Sequence, residues 1–323
     1  MHKRPASLIQ LALIIILCTL LLSACSRERN AETIRIAEQY GLAYAPVQLI
    51  RIEEELEKSG YRVEWVRLMN TAAIREAMLA GRADIGFMGI PPFLIGREQG
   101  MDWRIFTGLC RAPLGLVSLR DDLRSLNDFG PGDRIALPQP GSIQHILLSM
   151  AAERYLGDPF YFDDRLVTLS HPDGFNAIRS GGDVSAHFTS PPYLFEELKL
   201  PGARLIVGGD EAFGGPFTFI VGAVRKEFAD AHPELLDRVK SAVEEKAAML
   251  NTSPEESAAL LAEEYKIEAD LLKEYLGSES LVYSSEVIGL NRFQEFMFTT
   301  GLLESPYSRP GELLISLDDG RDP

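Results

Sequence analysis

The sequence has little cysteine, no surplus of basic charge and no catalytic signature, and each absence narrows what the chain can be. Of its three cysteines, Cys18 and Cys25 fall in the N-terminal segment, which leaves Cys110 unpaired and rules out an intramolecular disulfide framework. Cys110 follows the apolar run Ile105 to Leu109 and reads as a buried structural thiol. Acidic residues outnumber basic ones 47 to 32, a formal net charge of −15, which argues against a nucleic-acid partner or a polybasic membrane contact. A small anionic ligand stays open, because a nearby helix N-terminus outweighs a distant, screened surface charge. There is no Gly-x-Ser-x-Gly elbow, no His-Glu-x-x-His, no Walker loop and no Gly-x-Gly-x-x-Gly fingerprint. Asp and Glu are scattered along surface helices instead of standing at metal-ligand spacing, so no enzyme activity, metal or cofactor is expected. Past the N-terminus, no hydrophobic run approaches a membrane span.

What is present begins with a targeting segment. Lys3 and Arg4 precede an apolar run from Leu8 to Leu22 that ends in Leu22-Ser23-Ala24-Cys25. A charged start, a run too short to span comfortably and small residues before a cysteine make residues 1–25 a secretory segment. The closing tetrapeptide resembles a bacterial lipobox, which implies an acylated Cys25, a polar tether over 26–32 and a globular part held outside the cytoplasm by a lipid anchor. An uncleaved N-terminal anchor is the alternative, with the same location. Without Lys3 and Arg4 the balance is 30 basic against 47 acidic residues, a net charge of −17.

The rest says one thing twice. Ala73-Ile74-Arg75 leads through Gly81 and Asp84 to Pro91-Pro92-Phe93-Leu94; about 100 residues on, Ala177-Ile178-Arg179 leads through Gly181 and Asp183 to Pro191-Pro192-Tyr193-Leu194. Each copy reads as helix, glycine stop, strand and proline-opened helix. The interval from Ile to the first Pro differs by four residues, about one turn, which a longer first helix would absorb. The fold class is therefore α/β, with two lobes, mostly parallel sheets and a cleft between them. The first lobe is expected over 33–116, the second over 117–213, and a return to the first with C-terminal helices over 214–323. Leu114 to Leu119 and Phe217 to Ala223 are the expected crossovers. Pro46 to Ser59 reads as one long helix and Asp121 to Leu126 as a short one.

Three motifs stand in order behind the lipobox: Gln39-Tyr40-Gly41-Leu42-Ala43-Tyr44-Ala45-Pro46 after the first strand, Gly81-Arg82-Ala83-Asp84-Ile85-Gly86, and Asp133-Arg134-Ile135-Ala136. Together they resemble the nitrate, sulfonate and taurine group of ABC-transporter substrate-binding proteins, which includes thiamine-pyrimidine binders, over about Ile34 to Leu250. The resemblance implies a type II periplasmic-binding-protein fold with two hinge crossovers. It also implies a monomer that encloses a small-molecule ligand and delivers it to an ABC permease and its ATPase subunit. His145 and His187 depart from the sulfonate-binder pattern. Two readings of another class, a lipoprotein enzyme and a ligand sensor, remain beside this one.

In open α/β sheets ligands bind beyond the carboxyl ends of the strands. Those positions are Gln39, Tyr40 and Tyr44; Gly89 and Ile90; Arg111; Gly141, Ser142 and Gln144; and Thr189 and Ser190. Gly141-Ser142 opening a helix offers backbone N–H groups, a hydroxyl and the positive end of the helix dipole, as an anion requires; an ordinary N-cap has the same sequence. Arg111 suits a bidentate anion contact or plain solvation. Gln39 and Tyr44 suit a polar organic ligand or loop packing, and His187 suits a ligand contact or a structural hydrogen bond. Were both histidines to reach the cleft beside Tyr44 and Phe213, the ligand would be a hydrogen-bonding heterocycle.

Overall fold

The computed structural model describes residues 33–305 and 310–315. Cys25 and the rest of the secretory segment and tether lie outside them. Among the described residues eleven strands form two sheets. The first holds β1 (Thr33–Glu38), β2 (Arg62–Arg67), β3 (Ile85–Gly89), β4 (Trp103–Arg111), β10 (Ile220–Arg225) and β11 (Val282–Tyr283) in the order β11-β4-β10-β3-β1-β2. The second holds β5 (Gly115–Ser118), β6 (Ile135–Leu137), β7 (Leu166–Thr168), β8 (Ala186–Thr189) and β9 (Arg204–Gly208) in the order β7-β6-β8-β5-β9.

Read from one edge, β2-β1-β3-β10-β4 and β7-β6-β8-β5-β9 are the same arrangement, and in each the fourth strand runs against its neighbours. The reversal follows from the crossovers. β4 runs towards the cleft and ends at Arg111, and the chain changes sheets at 112–114, so β5 has to run away from it. β9 likewise ends at Gly208, and β10 leaves the cleft from Ile220. Leu114 to Leu119 and Phe217 to Ala223 are thus mostly strand and not linker. Their apolar residues up to Val117 and from Phe217 are buried because each inserts into the centre of the sheet it joins.

Three further expectations change. Pro46 to Ser59 is not one helix: Ala45–Ile52 and Glu55–Lys58 are separated at Glu54, whose φ of 52° breaks the ladder. Asp121 to Leu126 forms turns, with a 3₁₀ turn at Leu126–Asp128. The first repeat helix is not a turn longer than the second: Thr71–Leu79 has 9 residues and His171–Ser180 has 10.

Buried polar ties hold the ends of the strands that face away from the cleft. Asp84, fully buried, accepts from the Arg35 backbone N–H at 3.0 Å and Nε at 2.9 Å and from Arg225 Nη2 at 2.6 Å, joining β1 and β10 to the segment that opens β3. In the second lobe Asp133 accepts from Gly130 N at 2.7 Å and from Ser185 Oγ at 2.9 Å. Multiple donors satisfy each carboxylate, the condition under which a buried charge is tolerated. With the far ends fixed, the carboxyl ends of both sheets face each other.

Candidate functional site

Between those carboxyl ends lies a narrow cavity lined from both lobes. Gln39, Tyr40, Gly41, Tyr44, Thr71 and Gly89 come from the first, and Pro138, Ser142, Gln144, His171 and Ser190 from the second. An outer vestibule shares Gln39, Tyr40, Pro138 and His171 with it and continues past Met69, Pro172 and Tyr193. The lobes touch around it: Leu42 N–H donates to Pro191 O at 3.4 Å, and Gly89 packs on Ile143. Further out, the Phe195 and Tyr275 rings lie 5.1 Å apart, and Lys199 Nζ donates to the Tyr275 hydroxyl at 3.1 Å.

No Asp, Glu, Lys or Arg lines the inner cavity among the described residues. Its electrostatics come from helix starts. Helices Ala45–Ile52, Thr71–Leu79, Ile90–Glu98, Ile143–Leu156 and His171–Ser180 each place an N-cap or first residue on the cavity wall. Each such end carries roughly half a positive charge, so the cavity attracts an anion without a cationic side chain. Arg67, in the vestibule, is committed elsewhere: it bonds buried Glu38 at 2.8 Å and also reaches Glu264.

The neutral side chains are set as donors. Gln39 Nε2 donates to Tyr44 Oη at 3.0 Å and to Thr71 Oγ1 at 3.1 Å, which leaves both hydroxyl protons for a third partner. Burial raises the Tyr44 pKa and keeps the phenol protonated. Ser142 Oγ accepts from His145 N–H at 3.3 Å as the N-cap, so its own proton is likewise available. His171 sits 3.3 Å from Gln144 Nε2, 3.4 Å from Ser190 Oγ and 3.2 Å from Thr189 Oγ1. Burial, helped by neighbouring His187, pushes its pKa down to about 3 and leaves it neutral. Because the Gln144 amide donates to Nε2, the His171 proton rests on Nδ1 and is given to Thr189.

No protein-family model matches the chain. It is 26% identical over 259 residues to the putative aliphatic sulfonates-binding protein of Escherichia coli K12, covering 78% of each chain. To the taurine-binding periplasmic protein of the same organism it is 26% identical over 221 residues, covering 67% of this chain and 66% of that one. Among solved structures, the alkanesulfonate-binding protein of Xanthomonas axonopodis pv. citri bound to MOPS gives a TM-score of 0.69 at 22% identity, over 88% of this chain and 97% of that one. The chain is thus similar in sequence to sulfonate- and taurine-binding periplasmic proteins, the group its motifs resemble. Its α/β architecture is the periplasmic-binding-protein fold that the resemblance implied.

In this chain Gln39, Tyr44, Gly89, Ser142 and Gln144 line the cavity. The other sequence candidates stand around it. Ile90 is fully buried one residue past Gly89, and Gly141 donates its N–H to His145 Nδ1 at 3.0 Å. Thr189 is buried behind His171. Arg111 faces a separate groove with Pro113, Leu198 and Asp210, because the end of β4 leads straight into the crossover. His145 is held structurally between Gly141 and Asp163, its Nε2 at 3.0 Å from Oδ1. His187 lies behind the wall, its Nδ1 at 2.5 Å from Glu197 Oε1, with both side chains fully buried. Phe213 packs with Phe217 and Phe293. Thr71 and His171 went unassigned in the sequence, although each follows a strand and begins a helix after an Asn or Ser cap.

Proposed function

We propose that this chain is an extracytoplasmic substrate-binding protein of an ABC importer, which captures a small organic anion of the sulfonate or taurine type by closing its two lobes and does not transform it. The observation that carries this reading is the cavity itself: five helix starts and a set of neutral hydrogen-bond donors converge from both lobes, with no charged side chain on the wall. Such a site suits a sulfonate group, which stays ionised at every physiological pH; an ammonium such as taurine's would meet only neutral acceptors on the wall. The relatives' names supply the ligand class and the periplasmic address. The heterocycle reading loses its ground, since His145 and His187 bond within the protein and not into the cavity.

Titration calorimetry with butanesulfonate, taurine, nitrate and a hydroxymethylpyrimidine tests the reading. Binding of a sulfonate, with compaction in small-angle scattering and about 2.7 kcal/mol of added stability at 100 times the Kd, is the expected result. Binding of the pyrimidine alone, or turnover of any bound compound, would overturn it. The lipid anchor is part of the same proposal. Mass analysis of membrane-extracted protein should find diacylglycerol on Cys25, and a Cys25→Ala form that stays equally membrane-bound would contradict the anchor.

A further inference from the structure

The wall segment Gln39–Tyr44 is fastened from behind by residues far along the chain. The Tyr265 hydroxyl lies 2.9 Å from Gly41 O and also reaches Gln48 Oε1, the Tyr283 hydroxyl donates to Leu42 O at 2.9 Å, and Cys110 Sγ lies 3.7 Å from Ala43 O. Tyr40 completes the set, its hydroxyl donating to Tyr265 O at 2.9 Å while the two rings meet edge to face at 5.3 Å. Tyr265, Tyr283 and Cys110 are all buried, and their contacts add to the backbone bonds that Gly41 O accepts from Tyr44 N–H and Leu42 O from Ala45 N–H, so the tyrosines tie a turn that is already closed locally to the distant C-terminal part. With the carbonyls drawn back, the opposite face of the segment is what Gly41, Ala43 and Tyr44 present to the cavity. Tyr265 ends helix Pro254–Tyr265, and Tyr283 lies on β11, the edge strand beside β4. Both stand beyond Leu250, outside the stretch whose motifs carry the resemblance in the sequence.

We infer that Tyr265 and Tyr283 are positioning residues for ligand binding, which hold Gln39–Tyr44 so that the Gln39 amide and the Tyr44 hydroxyl keep their aim. The inference rests on the binding-protein reading above. Sites of this kind depend on a supporting shell whose own geometry is locked, because a small drift of the contacting groups removes much of the affinity. Here the shell is supplied by the C-terminal part of the chain, which gives that part a role in recognition beyond covering the first lobe.

Tyr265→Phe and Tyr283→Phe keep the rings and remove only the hydroxyls. Two readouts are needed, one of them independent of any ligand. Hydrogen exchange of the peptide containing residues 39–44 should quicken by about three- to tenfold in each variant, the loss of one net hydrogen bond, while second-lobe peptides stay unchanged. Binding of butanesulfonate should weaken by about three- to tenfold, and more in the double variant, with melting temperatures lowered but folding intact. Lowered melting temperatures with unchanged exchange and unchanged affinity would reduce both tyrosines to packing residues and overturn the inference. So would a loosened segment that binds the probe as tightly as before. If the unaltered protein fails to bind butanesulfonate, the sulfonate reading falls, and the clamp then stands or falls on the exchange result alone.

Discussion

Ser142→Asp is expected to abolish ligand binding in a normally folded protein. Ser142 caps helix Ile143–Leu156, is almost fully buried and lines the cavity. Its oxygen accepts the His145 N–H, so the hydroxyl proton points to whatever occupies the cavity. Aspartate caps a helix as well as serine does, and helix stability should therefore be retained. What changes is the other face. A donor becomes an acceptor-only carboxylate, and a negative charge is set against the ligand's anionic group where the helix end had favoured it. Hydrogen bonds to charged groups are worth about 1.5–3 kcal/mol and helix-end terms roughly 0.3–2, so the combined loss with added repulsion exceeds about 100-fold in Kd. Ser142→Ala, which removes the donor without adding charge, should cost about tenfold. Calorimetry with butanesulfonate, with thermal melting as control, decides the matter: unchanged affinity in the aspartate variant would reduce Ser142 to a structural cap.

Much of this site is legible in the sequence, and the misses have identifiable causes. The rule that ligands sit beyond the carboxyl ends of strands finds Gln39, Tyr44, Gly89, Ser142 and Gln144, since each follows a buried central strand whose pattern is strong. It fails for Arg111 because a strand's end does not say whether the chain turns back along the cleft or crosses to the other sheet. The repeat misleads in a subtler way. Gly41 and Gly141, Asn70 and Ser170, Gly81 and Gly181, and Pro91 and Pro191 stand 100 residues apart in the numbering. At that spacing Thr71 corresponds to His171, the first residues of two helices that both line the cavity. The Ala-Ile-Arg echo is displaced from this register by one helical turn, which is why it asked for a longer helix that does not exist. β7 is a short, half-buried edge strand, so the sequence gives little warning that His171 follows a functional strand end. The antiparallel fourth strand of each sheet is likewise invisible locally, because its direction is set by where the chain crosses and not by its own residues.

Behind the cavity wall, the His187–Glu197 pair carries the largest expected effect on stability. Both side chains are fully enclosed, and His187 Nε2 presses on the bare face of Gly174. Glu197→Ala leaves a buried neutral imidazole without its hydrogen-bond partner and should cost about 1–3 kcal/mol, to which the emptied side-chain space adds. Glu197→Gln keeps a hydrogen bond and isolates the titration. Burial raises the Glu197 carboxyl from 4.5 to about 8 and lowers the His187 imidazole from 6.5 to about 3, so in the folded protein the pair holds one proton between them. Glu197, raised on folding, contributes stability that is full below about 4.5 and is lost as the pH climbs to about 8. His187, lowered on folding, contributes stability that is full above 6.5 and is lost as the pH falls towards about 3. Between 4.5 and 6.5 the two slopes cancel, and the falling limb of neighbouring His171, itself lowered to about 3, sets the acid side. Above 6.5 only the Glu197 slope remains, at most about 1.4 kcal/mol per pH unit. Urea melts from pH 6.5 to 8 should therefore show a loss of stability that Glu197→Gln removes, the difference between the two proteins cancelling every group they share. An alkaline limb of equal size in both would mean that Glu197 is already ionised in the folded protein, paired as carboxylate with an imidazolium, and that its burial does not hold the proton.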